Sequence, residues 1–191
     1  MQSGVGTLTL PAFWEEVKAL NQVVDVDYTI PGCAPPPELF MEAVTALLKG
    51  ELPPRGSVLS PNKACCDVCP RKDSKPDKIE VAAIKRITTS IPDPTKCFLA
   101  EGYVCMGPAT RSGCGMRCIE GNMPCRGCFG PMDGIVDQGA KFISAFASVL
   151  APKDDKGIDA ILDTIPDPAG TFYRFSLPAS LLHRKRTGGQ P

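Results

Sequence analysis

The first fifty residues change twice between helical and strand-like spacing of hydrophobic positions. A helix is predicted over residues 11–20, with proline in its first turn. Apolar and polar side chains alternate over residues 23–30, which predicts a strand. A second amphipathic helix is predicted over 38–48, ending at Gly50. The apolar positions are Phe13, Val17 and Leu20 in the first helix, Val24, Val26, Tyr28 and Ile30 in the strand, and Leu39, Phe40, Ala43, Val44, Leu47 and Leu48 in the second helix.

Residues 1–58 therefore read as an incomplete α/β unit. A single strand between two helices leaves most of its backbone hydrogen-bonding groups unpaired. Either the strand joins a sheet on another polypeptide, or the segment is the later part of a domain that begins elsewhere. Residues 51–57, with two prolines and a glycine, are predicted to be a linker.

The hydrophobic periodicity weakens over residues 59–134, which are rich in Cys, Pro and Gly and predict a loop-rich domain. One short helix is predicted there, around 78–88. Residues 135–191 then form a third segment with an amphipathic helix and a tail. The apolar face of that helix is predicted to hold Val136, Ala140, Ile143, Phe146, Ala147 and Leu150. In the tail, residues 172–178 are apolar and predict a docking strap, whereas the basic residues 183–186 are expected to stay solvated.

The composition of the chain argues against several classes of function. The chain has 21 basic and 21 acidic side chains, so it lacks the electrostatic footprint of a nucleic-acid binder. Residues 71–86 carry six basic and three acidic side chains, as either a solvated face or a docking patch. The longest apolar stretch, residues 142–151, is about half the length that a membrane span needs. The start, MQSGVGTLTLP, lacks the features of a secretory signal peptide.

Cysteine is the residue type that points to chemistry. The chain has ten Cys and one His, and nine of the Cys lie between residues 65 and 128. A disulfide scaffold is disfavoured in a chain of this length without a secretory signal. In chain order the thiols form two sets of four, with Cys33 and Cys65 left over. The first set is Cys66, Cys69, Cys97 and Cys105, and the second set is Cys114, Cys118, Cys125 and Cys128.

Two kinds of metal site suit this count. A 4Fe–4S cluster takes four thiolates, and Gly residues among the ligands allow positive φ and backbone N–H groups that point toward sulfur. Seven such glycines lie at 102, 107, 113, 115, 121, 127 and 130. Two structural zinc sites are the alternative, but zinc ribbons place their two Cys pairs about 15–20 residues apart. Here 55 residues and four further Cys separate Cys69 from Cys125, which favours iron–sulfur clusters.

The sequence predicts no catalytic residue. Its single His lies in the basic tail, and no Gly-rich phosphate loop follows a strand. We therefore expect a non-catalytic electron carrier, with any bond-breaking chemistry on a partner.

Four segments, in chain order, resemble the small subunit of nickel–iron hydrogenases: VDVDYTIPGCAPPPE, CDVCPR, CFLAEGYVCMGPATRSGCGMRC and NMPCRGCFGP. The likeness is greatest to the cytoplasmic, methyl-viologen-reducing type found with heterodisulfide reductase in methanogenic archaea. It implies that residues 1–58 are the later part of a flavodoxin-like domain whose N-terminal half is missing here. It also implies that residues 59–134 are an iron–sulfur cluster domain and that the protein is cytoplasmic.

The resemblance also implies roles for the cysteines. The first set corresponds to the ligands of a distal 4Fe–4S cluster and the second set to those of a medial one. Cys33 corresponds to one ligand of a proximal cluster, although Ala34 replaces the first Pro of the family's Gly-Cys-Pro-Pro loop. The other proximal ligands belong to the missing half. Cys33 thus either completes a third cluster with another chain or is an unliganded thiol, and Cys65 is expected to be no ligand.

The expected function is electron relay through two 4Fe–4S clusters within an obligate complex. The resemblance implies a nickel–iron large subunit, or an equivalent redox subunit, at one end of the relay. A ferredoxin-like or heterodisulfide reductase-linked acceptor is implied at the other. The alternatives are an electron-relay adaptor of a larger redox complex without a nickel site, and a structural zinc protein.

Overall fold

Regular secondary structure is sparse in this protein. The computed structural model describes residues 2–4, 6–7, 9–10, 12–13 and 16–182. Two short antiparallel strands pair Gln2 with Thr7 and Ser3 with Gly6. The elements are β1 (Gln2–Ser3), β2 (Gly6–Thr7), α1 (Pro37–Lys49), α2 (Arg117–Glu120), α3 (Gln138–Ala147), α4 (Asp155–Leu162) and α5 (Pro168–Phe172). No helix in these ranges combines the length and apolar character needed to cross a membrane.

The prediction of a helix over residues 11–20 is wrong for the residues that the structure describes. Residues 12–13 and 16–19 have no helical structure, and a single 3₁₀ turn spans Leu20–Gln22; positions 11, 14 and 15 lie outside the described residues. Phe13 is fully exposed, and Leu20 is largely so. An amphipathic helix of this length depends on burying its apolar face, and these side chains pack against nothing that could supply that burial.

The strand predicted over residues 23–30 is also absent. Only Thr29 makes a strand-like contact, as an isolated parallel bridge to Val58. The Thr29 N–H donates to Ser57 O at 3.1 Å, and the Leu59 N–H donates to Thr29 O at 2.8 Å. Without a neighbouring strand, a longer extended segment would leave its remaining N–H and C=O groups unpaired.

The second helix is confirmed as α1. Gly50 ends it with a φ of 70°, the left-handed conformation that glycine adopts without penalty. Only Leu39 and Ala43 of its apolar stripe are buried, and four large apolar side chains remain mostly exposed: Phe40, Met41, Leu47 and Leu48. An ion pair between Glu38 and Arg117, at 3.7 Å, connects α1 to α2.

In residues 59–134 the prediction of a helix around 78–88 is wrong. Val81 forms a bridge with Leu150, and Lys85 forms one with Tyr103, so this segment is extended. Val81 is almost completely buried. Pairing with distant parts of the chain outweighs the weak local helix preference. The described regular structure of the region is otherwise α2 and three 3₁₀ turns, at Cys65–Val68, Lys72–Ser74 and Gly107–Ala109.

The helix predicted after the last Cys is confirmed as α3, although its buried face differs from the predicted one. Val136 lies before the helix and is 76% exposed, whereas Phe142 is completely buried. The Phe142 ring lies 5.6 Å from those of Phe146 and Phe172. The core therefore draws on both the cysteine-rich region and the C-terminal segment, because α3 packs on the Gly107–Ala109 turn and on α5.

The C-terminal tail packs against the start of α3. The Asp137 carboxylate caps the helix by accepting from the Ala140 N–H at 2.8 Å, and its other oxygen accepts from the Leu181 N–H at 2.8 Å. Phe172 and Tyr173 are buried. Residues 172–178 therefore lie along the protein as a strap, while the basic residues 183–186 lie outside the described residues.

Gly139→Ala is expected to destabilise the protein by about 1–3 kcal/mol. Alanine normally stabilises a helix relative to glycine, by about 0.5–1 kcal/mol. At Gly139, however, an added Cβ would lie 2.6 Å from the Cζ atom of Tyr173. Denaturant unfolding of wild type, Gly139→Ala and the double variant Gly139→Ala/Tyr173→Ala measures this overlap. A more stable Gly139→Ala protein would show that the strap does not press on α3.

Candidate metal centre

Short backbone pairings bring the cysteine-bearing loops together. The Cys65–Val68 turn packs against the Gly107–Ala109 turn, and the Cys65 N–H donates to Thr110 O at 2.8 Å. The Met106 N–H donates to Cys125 O at 2.9 Å. Loops that carry members of both cysteine sets are thus held against one another.

In the first set, Cys66 lies among other thiols in a buried environment. Burial, followed by the negative charges of Cys97 and Cys69, raises the pKa of Cys66 to about 12. Burial also raises the pKa of Cys105, which accepts hydrogen bonds from the N–H groups of Gly107 and Cys125. Crowded thiols resist ionisation because their thiolates repel one another, and a bound cation removes that repulsion.

The second set surrounds Cys125. Burial and then the charge of Cys125 raise the pKa values of Cys118 and Cys128. Hydrogen bonding with the Cys65 thiol lowers the pKa values of Cys114 and Cys125. A lowered pKa gives a cysteine more of the thiolate character that metal ligands need.

Cys65, which is not a predicted ligand, is a buried thiol beside two cysteines of the second set. It is 4% exposed, and its thiol donates to Arg111 O at 3.1 Å. The same hydrogen bonds to Cys114 and Cys125 raise the pKa of Cys65 itself. Cys65 thus lies beside the second set, whereas Cys66, the next residue, lies with the first.

The two sets adjoin each other directly. The Cys125 N–H donates to the Cys105 sulfur at 3.4 Å, which places a member of one set in contact with a member of the other. Cys33 lies at the edge of this arrangement. Its side chain is exposed, and its backbone N–H bonds to the Cys128 sulfur.

Three features make this environment suitable for iron–sulfur clusters. A Cβ added at Gly107 would lie 3.1 Å from the Cys66 sulfur and 3.7 Å from the Cys105 sulfur, so only glycine leaves this space open. A cavity of about 270 Å³ has Cys66 and Cys97 in its lining, together with Lys75, Asp77 and mostly apolar residues. Backbone N–H groups of Gly107 and Gly127 also bond to cysteine sulfurs. Five of the seven glycines noted in the sequence have positive φ: Gly102, Gly113, Gly115, Gly127 and Gly130.

A site for a single metal ion needs a different arrangement of ligands from a cluster site. In the described residues, no group of three or more His, Cys, Asp or Glu side chains is arranged to hold one metal ion. The four thiolates of a 4Fe–4S cluster bind four different irons, so they lie farther apart than the ligands of one ion. The donor chemistry of each set, four thiols, is that of a 4Fe–4S cluster.

Several buried polar residues that the sequence did not single out support the cysteines. Arg111 is 2% exposed, and its guanidinium donates to Ser60 O, Pro131 O and the Asp133 carboxylate. Gln138 donates to Thr110 Oγ1 at 3.2 Å and to Gly127 O at 3.0 Å. The Thr110 hydroxyl in turn donates to Met106 O at 2.6 Å, next to Cys105. In the sequence, the one sign of these residues is Gln138, a polar side chain among apolar positions at the start of α3.

Gly107→Ala is expected to lower the iron bound by the first set, with little effect on the second. The added methyl would occupy the space beside the Cys66 and Cys105 sulfurs. Iron analysis of anaerobically reconstituted protein measures the loss. Gly4→Ala is the matched control because no atom lies within 4 Å of a Cβ at that position. Full iron content in Gly107→Ala would show that this space is not needed.

Comparison with known proteins identifies relatives of this chain. No protein-family profile matches it. The iron-sulfur subunit of the F420-non-reducing hydrogenase from Archaeoglobus profundus is 38% identical over 186 residues, covering 96% of this chain and 57% of that protein. An F420-non-reducing hydrogenase subunit from Methanothermobacter marburgensis is 41% identical over 179 residues, covering 92% and 56%. The corresponding subunit from Methanothermus fervidus is 42% identical over 123 residues, covering 62% of this chain and 97% of that protein.

The chain thus spans a little over half the length of the first two relatives and nearly all of the third. The matches to the first two extend over almost the whole chain, including both cysteine sets. The chain belongs to the same family of F420-non-reducing hydrogenase subunits as these three relatives.

Proposed function

We propose that this chain is an electron-transfer subunit of a nickel–iron hydrogenase complex, of the small-subunit type. It relays electrons through two 4Fe–4S clusters between the H2-activating large subunit and a redox partner such as heterodisulfide reductase. The hydrogenase names of its relatives support membership in such a complex, and one relative is named an iron-sulfur subunit. The chain itself is not the site of bond cleavage, and its place of action is the cytoplasm.

The direct contact between the two cysteine sets is the observation that carries this proposal. Electron transfer between clusters requires a short path, and the Cys105 sulfur accepts a hydrogen bond from the Cys125 backbone. Each of these cysteines belongs to a different set of four. This arrangement supports a relay with two adjoining sites, whereas a purely structural protein would need no such proximity.

The protein's own residues would hold and tune the two sites. Cys66, Cys69, Cys97 and Cys105 bind the distal cluster, and Cys114, Cys118, Cys125 and Cys128 bind the medial one. When bound, the clusters supply one-electron carriers whose potentials depend on hydrogen bonds to sulfur and on solvent exposure. The N–H groups of Gly107 and Gly127 provide such bonds, and the buried side chains of Phe98 and Met106 exclude water from the surrounding core.

Residues 1–58 are proposed to be the later part of a flavodoxin-like domain. The exposed apolar side chains of α1 are consistent with a segment that needs further covering. A third, proximal cluster at Cys33 would require ligands in addition to the two sets of four. Without such ligands, Cys33 remains a thiol beside Cys128.

Metal analysis of the natively purified, oxygen-free complex tests the proposed function. We expect about eight irons per chain, the content of two 4Fe–4S clusters, together with nickel from a co-purifying subunit. Cluster spectra without nickel would replace the hydrogenase assignment by an electron-relay adaptor. Colourless protein containing zinc would replace both by a structural zinc protein.

A further inference from the structure

A second concave site has no cysteine in its lining, although Val104, Pro124 and Arg126 are sequence neighbours of Cys105 and Cys125. This cavity, of about 320 Å³, lies between the extended segment at 84–88 and the residues that lead into α5, with Tyr103 and Pro124 also in its lining. Its volume is at the lower end of the range for small-molecule sites in proteins. We refer to it as the basic cavity because of its charged lining.

Four cationic side chains line the basic cavity: Lys85, Arg86, Arg126 and Arg174. None of them makes an ion pair within the described part of the chain, although Arg55, Arg111 and Arg117 all do so elsewhere. The Lys85 ammonium lies 5.8 Å from the centre of the Tyr103 ring, which helps to hold it at the cavity.

The one carboxylate in the lining already accepts a hydrogen bond from the backbone. Asp167 caps α5, and its Oδ1 accepts from the Gly170 N–H at 2.8 Å. The cavity therefore keeps an excess of positive charge in a protein whose net charge is zero. Like charges around a concave surface repel one another, and the low-dielectric walls concentrate their field on an incoming anion.

Apolar side chains form the rest of the wall. Ile84, Ile87 and Ile165 all contribute to it. A ligand that matches this lining has a compact multivalent anionic group and a small apolar part. Arginine binds phosphate through two parallel N–H···O bonds, and the three oxygens of a phosphate monoester can use several cations at once.

We propose that the basic cavity is a binding site for a small phosphate monoester with an apolar substituent. The sequence predicts that residues 71–86 form a solvated face or a docking patch. Lys85 and Arg86, at the end of that segment, line a cavity of small-molecule size. The inference does not depend on the proposed electron relay, because no cysteine lines the basic cavity.

Calorimetric titration with phenyl phosphate tests this proposal. The full chain is purified natively with any subunits that accompany it. We expect saturable binding with a Kd on the order of 0.1–1 mM at low salt, weakened strongly by added salt. The double variant Arg86→Gln/Arg174→Gln should bind at least about tenfold more weakly, since it removes two charge-assisted contacts. Its iron content should equal that of the wild type.

The matched control is Lys72→Gln/Lys141→Gln, which removes two positive charges from exposed positions outside the basic cavity. It should bind phenyl phosphate as the wild type does. Equal weakening in both double variants, or no saturable binding by the wild type, would overturn the proposal. Tighter binding of a short poly-glutamate peptide than of phenyl phosphate would also overturn it, in favour of an acidic protein partner.

Discussion

Cys125→Ser is expected to lower the bound iron from about eight to about four per chain. The two proposed clusters share no thiolate, so loss of a ligand from the second set should leave the first set occupied. The contact between the sets survives the change, because the backbone N–H of residue 125 is the donor to the Cys105 sulfur. Iron analysis and electron paramagnetic resonance of the reduced protein should both show the loss of one cluster.

Cys65→Ser is the matched control for that experiment. Cys65 is buried beside the same second set, but it bonds to Arg111 O and is not a proposed ligand. Its replacement should leave about eight irons per chain. If Cys125→Ser removed all the iron, the two sets would not be independent. If Cys65→Ser removed a cluster, Cys65 would itself be a ligand.

Arg71→Leu is expected to lower the free energy of unfolding by about 3–4 kcal/mol. Arg71 is 6% exposed, and its guanidinium lies 4.1 Å from the centre of the Phe98 ring. It donates to Asp93 O and Lys96 O at 3.0 and 3.1 Å, and to Ile119 O and Asn122 Oδ1 at 3.3 and 2.7 Å. Leucine would leave these acceptors without the Arg71 donors, and the one at Ile119 is buried.

Denaturant unfolding of variants with equal iron content measures this effect. Arg71→Lys should fall between wild type and Arg71→Leu, since an ammonium keeps the charge but lacks the planar fork of donors. Lys72→Gln is the neighbouring control and should change stability by less than about 0.5 kcal/mol. A similarly small effect of Arg71→Leu would mean that Arg71 does not hold these loops together.

The contrast between α1 and the absent first helix shows how far local sequence information extends. Both segments have apolar residues at helical spacing. Residues 37–50 also carry proline at the first position and Gly50 as the C-cap, and both signals act within the segment itself. The segment 11–20 shares a proline in its first turn but has no glycine cap after Leu20, and its described residues 12–13 and 16–19 form no helix. Apolar spacing and a first-turn proline are therefore not sufficient, and the C-cap is the local signal that distinguishes α1.

The burial of arginine is a second feature that the sequence alone does not predict. Arg71 begins a segment whose charge count suggested a surface, yet it is buried against Phe98. Its acceptors come from residues 93, 96, 119 and 122, which lie 22 to 51 positions further along the chain. A charge count within a window contains no information about carbonyl groups that distant loops turn toward the side chain.

The sequence by itself shows the metal-donor chemistry of this protein, which is two sets of four thiols with glycines among them. It also predicts the helices α1 and α3, whose caps are local. The folded chain was needed to learn that Cys105 meets Cys125, that Cys65 and Cys66 face different sets, and that four cations line one cavity. The difference lies in the range of the interactions. Caps and spacings act over a few residues, whereas these contacts join loops that are distant in sequence and meet only after folding.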